Sequence, residues 1–344
     1  MLEIDGSYLE GGGQIVRTAL ALSTVTQKPI HITSIRKGRA NPGLQAQHIE
    51  AANAISSLCN AKIEGNKLHS TEMKFYPGKI QSKKISIMIP TAGSVALVLQ
   101  AMMIAAVHAE GRIHIEINGG ATNGKWAPPV NYVKHVLLPL LEKLGYKADI
   151  DIKKYGYYPK GGAHVVAEIH PAELEPINLM ERGEIETING ISHASKHLEK
   201  ANVAERQAKT AKDIIKKELK IDAETSVKYV DALNPGSAIE LFAKAKNSVL
   251  GSDGLGEVKK RAEDVGKEAA EKLVECIRSD ACVDEYAEDQ LLPYMALASV
   301  NGESRIRVHK LTNHTKTNIW VIEKFLPVKF KIDEKEKIIS CRKV

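Results

Sequence analysis

The chain has 344 residues, with 48 Lys and Arg against 42 Asp and Glu, a net charge of +6 and a pI near 8.9. That length exceeds what one core usually serves, so a large domain with an insertion, or two domains, is expected. The mild positive surplus favours an anionic partner, nucleic acid among them. Four scattered cysteines without a CxxC pair exclude a zinc knuckle and a dense disulfide framework. The first eight residues carry no signal-peptide pattern. The most apolar stretch, residues 94–109, is interrupted by Gln100 and His108 and falls short of the roughly 20 residues of a membrane span. A cytoplasmic protein with no membrane partner is expected.

In chain order, one pattern of helix, strand, loop and helix recurs three times. The first copy has a helix at 15–22, a strand at 29–34, a loop at 36–43 and a helix at 44–57. The second has a helix at 95–106, a strand at 112–117, a loop at 118–129 and a helix at 130–144. The third has a helix at 291–299, a strand at 304–308, a loop at 309–314 and a helix at 317–325. Ile30 and Ile32 alternate with His31 and Thr33, and Ile113, Ile115 and Ile117 with His114 and Glu116, the pattern of sheets with one covered face. Copies two and three are separated by about 100 residues more than copies one and two, roughly a small domain. The expectation is an α/β (α+β) fold of three repeated α/β units around a common centre, residues 1–182 and 278–344, with a small inserted α/β domain at 183–277. Within the insert, strands are expected at 185–192, 225–230 and 238–245, and charged amphipathic helices at 201–219 and 256–278.

Equivalent loops of repeated units come together, and each ends at a helix start whose free N–H groups favour phosphate. Residues 5–14 are glycine-rich ahead of a helix, yet match neither a Walker loop nor GxGxxG. Glu10 beside that turn suits a divalent cation, and Arg17 inside the helix suits phosphate. Arg36, Lys37 and Arg39 place three cations on a loop entering a helix, against the plainer reading of a basic loop. Residues 156–162 form a second glycine-rich turn, by itself a hairpin. His193 and His197 lie four apart without acidic partners, which reads as surface histidines rather than a metal site. His314 stands where the third unit's last helix begins, where a positive helix end favours the neutral ring that a nucleophile requires. A histidine that merely starts a helix is the bland alternative.

Together these segments resemble the RNA 3′-terminal phosphate cyclases over nearly the whole chain. The likeness rests on Asp5 to Arg17, Ser34 to Leu44, Ala92 to Gln100, Ala127-Pro128-Pro129, Gly156-Tyr157-Tyr158-Pro159 with Gly161-Gly162, Glu285-Tyr286 with Asp289-Gln290, and His314 with Thr317-Asn318-Ile319. Tyr155 and Ala163 depart from the family's usual Arg or His and third glycine. The resemblance implies a ligase that uses ATP and a divalent cation, Mg2+ or Mn2+, to turn an RNA 3′-terminal phosphate into a 2′,3′-cyclic ester through AMP bound to His314. It also implies that Gln100, Pro128, Tyr132, Tyr286, Ala287, Glu288, Asp289 and Gln290 surround the adenosine, with Tyr132 or Tyr286 stacking on the purine. Arg17, Arg36 and Arg39 would hold the RNA phosphate and Glu10 the metal. Cyclase-like proteins of ribosome assembly share the fold without the histidine, and enolpyruvyl transferases share repeated α/β units. Both fit the motifs less well. A homo-oligomer stays open.

Overall fold

Leu2–Asp5 (β1) leads through the helix Gly13–Thr26 (α1) to a parallel partner, Ile30–Thr33 (β2), whose isoleucines are buried. The helix Ala46–Cys59 (α2) follows, and the hairpin Lys62–Glu64 (β3) and Met73–Tyr76 (β4) completes a sheet in the order β1-β2-β4-β3. The computed structural model describes residues 1–344 and repeats this plan. In the second unit Lys84–Ser94 (β5) and Ile113–Ala121 (β6) are parallel across the helix Val95–Ala105 (α3). A broken helix (α4) comes next, running through Val130–Tyr132, a π turn Val133–Leu137 and Leu138–Glu142. Lys147–Lys154 (β7) and His164–His170 (β8) close the sheet as β5-β6-β8-β7.

The third unit opens with the short strand Asn178–Leu179 (β9), after which the chain leaves to form a fourth sheet. This sheet consists of Ile185–Ser195 (β10), Ala223–Val230 (β11), Ser237–Ala245 (β12) and Val249–Leu255 (β13), in the order β11-β10-β12-β13. Its helices Val203–Leu219 (α5) and Ala262–Arg278 (α6) pack on each other and enclose a cluster of 14 buried apolar residues, apart from the 77-residue main core. The chain then resumes the third unit with Ala287–Gln290 (α7), Leu292–Ala298 (α8), Ser304–Arg307 (β14), Asn313–Phe325 (α9), Val328–Asp333 (β15) and Ile338–Lys343 (β16). β14 pairs in parallel with β9, and the sheet reads β9-β14-β16-β15, the order of the other two.

α1 is apolar nearly all round, as a central helix must be. It packs against α2, α3 and α9, so the starts of helices from different units meet around it. No helix is long and apolar enough to cross a membrane. The four cysteines are free and buried.

The structure amends several expectations. Each unit carries a leading strand and a trailing hairpin beyond the expected four elements. β6 runs on through Gly119 and Gly120 into the segment expected as loop, because both adopt positive φ and their backbones pair with Ala163. The helix expected over 130–144 is interrupted because Pro139 has no N–H to offer the carbonyl four residues back, and the preceding turn widens to a π turn. The insert's last helix starts at Ala262 rather than 256, and β13 was not expected. His193 is no surface histidine. It is wholly buried, with Nδ1 2.6 Å from Tyr157 Oη and Nε2 3.1 Å from Glu240 Oε1. Glu240, on β12, also accepts from Nδ2 of Asn123 and Asn131 in the second unit, so one buried carboxylate ties the insert to the main body.

Candidate active site

Thr312 lies extended at the head of α9, and its hydroxyl accepts the Thr315 amide at 3.1 Å, which caps the helix. His314 is therefore in the first helical turn. Its Nδ1 stands 3.2 Å from Asp289 Oδ2 on α7. An ionised carboxylate can only accept, so in the neutral ring this contact sets the proton on Nδ1 and the lone pair on Nε2. The side chain is 44% exposed, enough for Nε2 to meet a substrate.

Asp289 is itself held from two helices. Gln14 Nε2 donates to Asp289 Oδ2 at 3.0 Å and to the His314 carbonyl at 3.3 Å, while Asn318 Nδ2 donates to the Asp289 carbonyl at 2.8 Å. Thr18 on α1 donates to Asn318 Oδ1 at 2.9 Å. Gln14 and Asn318 belong to recognisable motifs, but nothing in the sequence placed either against Asp289. Glu288 is fully buried and accepts from Thr315 Oγ1 at 2.6 Å. Burial outweighs that hydrogen bond and pushes its carboxyl up to about 7.

Arg17 projects from α1 into the same region. It is 8% exposed, its Nε has no protein acceptor, and burial, opposed by the charge of Asp289, lowers it only to about 10. It stays charged, so a buried guanidinium faces the site with hydrogen-bonding capacity unspent. Arg39 Nη2 donates to the Glu10 carbonyl at 2.9 Å and to its carboxylate, so the expected phosphate ligand and the expected metal ligand meet as a pair. The Glu10 amide reaches Thr317 Oγ1 at 3.4 Å, which brings the first loop to α9. Arg36 is used differently: from a left-handed backbone it donates through Nη1 to the carbonyls of Asn41 and Gly43 at 2.6 and 2.8 Å, bracing its own loop.

His48 escaped the sequence reading. It is buried with Nδ1 accepting the Gln45 amide at 2.9 Å, and burial, then the charges of Arg17 and Arg36, lowers it to about 3. Its Nε2 presses on the start of α1 so closely that a Cβ at Gly13 would lie 1.9 Å away. Only glycine fits there.

Of the residues expected around the adenosine, Tyr286 is half-buried and donates to Asp253 Oδ1 at 2.9 Å. Tyr132 has no exposed surface and spends its hydroxyl on Asp284 Oδ1 at 2.5 Å. Its ring meets Tyr286 edge-on, 5.1 Å between centroids, so it supports Tyr286 and offers no face to a purine. Ala287 and Glu288 are likewise fully buried, and Gln290 donates to the Tyr286 carbonyl at 2.9 Å. Gln100 on α3 and Pro128 ahead of α4 make no hydrogen bond to the His314 cluster.

A histidine with one nitrogen oriented by a carboxylate and the other open to solvent, next to a charged buried arginine and two helix starts, is an arrangement suited to phosphate groups. The sequence model described as RNA 3′-terminal phosphate cyclase matches residues 8–332. An RNA 3′-terminal phosphate cyclase of Methanopyrus kandleri is 45% identical over 98% of this chain and 96% of its own. That of Methanococcoides burtonii is 46% identical over 99% of each, and that of Thermococcus kodakarensis 44% identical over 96% of this chain and 94% of its own. The chain belongs to the RNA 3′-terminal phosphate cyclase family.

Proposed function

We propose that this chain is an ATP-dependent ligase of the cytoplasm that converts an RNA 3′-terminal phosphate to a 2′,3′-cyclic phosphodiester, with His314 as covalent nucleophile. The observation that carries the reading is the contact of His314 Nδ1 with Asp289, which selects the tautomer of the neutral ring that has its lone pair on Nε2, in a capped first turn. Nε2 attacks the α-phosphorus of ATP, the bond to the bridging oxygen breaks, and pyrophosphate leaves. As the ring becomes cationic, Asp289 stabilises it through the Nδ1 proton. An oxygen of the RNA 3′-phosphate then displaces histidine from AMP, giving a mixed anhydride. The neighbouring 2′-hydroxyl attacks the activated phosphorus, loses its proton and expels AMP, a step made easy because the hydroxyl is already held beside the phosphorus.

Arg17, Arg36 and Arg39 are assigned to phosphate, with Arg17 the best placed because its buried charge has capacity to spare. Arg39 reaches phosphate by exchanging Glu10 for it. Tyr286 is the tyrosine assigned to the purine, with Gln100, Pro128 and Gln290 near the nucleotide. Glu10 would hold a divalent cation, Mg2+ or Mn2+, whose charge would neutralise phosphate oxygens. No three His, Cys, Asp or Glu side chains gather into a site of their own. One carboxylate completed by phosphate oxygens and water is the usual manner of Mg2+.

Incubation with ATP labelled in the α-phosphate tests the reading. The unaltered protein should acquire acid-labile label and close the 3′-phosphate of RNA, and His314→Ala should do neither. Label retained on His314→Ala would sink the assignment.

A further inference from the structure

β7 and β11 are each the edge strand of their sheet, and they face one another across the junction of second unit and insert. Between them runs a cleft of about 730 Å³. Its walls carry five lysines against two aspartates. Lys153 and Lys196 pair with those aspartates at 2.5 and 2.9 Å. Lys134 of α4, Lys154 of β7 and Lys228 of β11 are exposed and enter no ion pair, so the cleft keeps a positive surplus. His135 lines it with its ring stacked on Phe242, 4.7 Å between centroids; burial first and the Lys134 charge next lower its pKa, leaving a flat neutral surface among the cations.

The glycine-rich turn 156–162 continues directly from β7. At its tip Tyr158 is 79% exposed, although the backbone beneath is clamped: Asn234 Nδ2 donates to the Tyr158 carbonyl at 2.6 Å, and the Gly161 amide donates to the Tyr157 carbonyl at 2.7 Å. An exposed aromatic on a fixed backbone contributes little to the core but suits a stacking partner, which then needs little further ordering. On its other side the turn abuts the active-site half of the molecule. Gly161 packs on the Thr91 carbonyl, and Gly93 lies against Gln47, the neighbour of His48. The turn thus stands between the lysine cleft and the His48 end of the site.

We propose that single-stranded RNA leading to the reacting 3′ end crosses this turn, stacks a base on Tyr158 and lays its phosphates along the lysines of the cleft. This rests on the RNA-cyclising activity proposed above and assigns the place of the strand behind the terminal phosphate. The polymer fits because aromatic platforms interleaved with lysines recognise a single strand without reading its sequence. Lysines on edge strands also discourage pairing with foreign strands, so their role could end there. The experiment separates the two.

Binding by anisotropy and cyclization kinetics are measured with a 3′-phosphorylated trinucleotide and with a 3′-phosphorylated RNA of about fifteen residues, near the upper site size of single-strand binders. For Lys154→Glu with Lys228→Glu, KM and Kd for the long RNA should rise about tenfold, and the slope of log Kd against log salt should fall by about 1.4, at roughly 0.7 per lost phosphate contact. Tyr158→Ala should weaken the long RNA about fivefold or more. Neither variant should alter the trinucleotide or self-adenylylation. Long-RNA binding and salt slope unchanged in both variants would overturn the proposal and leave the lysines as edge guards or a seat for a protein. An unaltered protein that binds RNA but cyclises neither length would overturn the activity instead, while the binding comparison still decides the cleft.

Discussion

Asp289 and Glu240 are both carboxylates facing a histidine, but their surroundings diverge. Glu240 and His193 have no exposed surface, and Glu240 is ringed by Asn123, Asn131 and His193, with Tyr157 on the far nitrogen of the ring. Around Asp289 the histidine is open to solvent, and Gln14 Oε1, Arg17 Nε, Glu288 Oε2 and Gln290 Oε1 are buried without protein partners. Satisfied polar networks rigidify a junction, whereas unspent donors and acceptors stored beside an exposed histidine are the state of a site open to a ligand. A carboxylate–histidine pair by itself does not mark catalysis. What marks it is which atoms around the pair are left free.

The comparison breaks first at Asp289. Asp289→Asn keeps the size of the side chain but can turn its N–H toward Nδ1, which moves the ring proton to Nε2 and blocks the nucleophile. A loss of about 10⁴-fold in the rate of self-adenylylation is expected, the scale seen when a histidine is held in the wrong tautomer. Single-turnover labelling with α-labelled ATP measures it, and a loss below tenfold would mean that Asp289 does not set the tautomer. Glu240→Ala should do the reverse. Three donors lose their acceptor in the interior, so unfolding in denaturant should show about 3 to 5 kcal/mol less stability, while the folded fraction keeps its adenylylation rate. Equal stability, or a rate that falls with the folded fraction held constant, would erase the distinction between the two regions.

The two regions also differed in how far the sequence disclosed them. Glu10 and Arg17 flank a glycine-rich turn and His314 stands at a helix start, and the repeat pattern puts such starts together, so the outline of the site was legible. Glu240 was hidden because a single carboxylate in an apolar strand looks like ordinary alternation, and its partners Asn131 and Asn123 are 109 and 117 residues away. His193 was misread for a related reason: its partners Tyr157 and Glu240 lie 36 and 47 residues away, outside its own segment. The burial of Tyr132 was not legible because a motif position says that a residue matters, not whether its side chain is exposed or packs beneath a neighbour. The second unit's closing hairpin was marked by the glycine-rich turn at 156–162, but the first unit's was missed for a local reason: β3 has three residues and only Ile63 to mark it, too little for period-two alternation to register.

A smaller effect sharpens the contrast through pH. Glu288 is raised to about 7 from 4.5, so between those values the folded protein holds a proton that the unfolded chain has released. Its contribution to stability is therefore full below about pH 4.5 and declines as pH rises to about 7, by up to about 1.36 kcal/mol for each pH unit crossed. Asp253, raised to about 6, and Asp284, also raised by burial, act in the same sense. Glu288→Gln still accepts from Thr315 but cannot titrate. The loss of unfolding free energy between pH 5 and pH 8 should shrink by about 2 kcal/mol in this variant, leaving the share of the other two. An unchanged loss would show that Glu288 is ionised throughout.

The least expected loss of stability lies at Thr312, and there stability and chemistry should separate. Its hydroxyl accepts the Thr315 amide at 3.1 Å, and Thr315 in turn donates to Glu288 at 2.6 Å, so the cap fixes the turn that carries His314 between two anchored neighbours. Thr312→Ala should cost about 1 kcal/mol, the usual worth of such a cap. The freed turn should also place Nε2 less well, and a misplacement of about 1 Å is enough to slow a positioned reaction up to a hundredfold. Because Thr312 meets His314 only through the backbone, its loss should lower kcat for self-adenylylation while KM for ATP stays near the unaltered value. Thr312→Ser keeps the acceptor oxygen and should restore both stability and rate. If Ser fails to rescue, or if KM rises in place of a fall in kcat, then Thr312 acts on the nucleotide and not through the helix start.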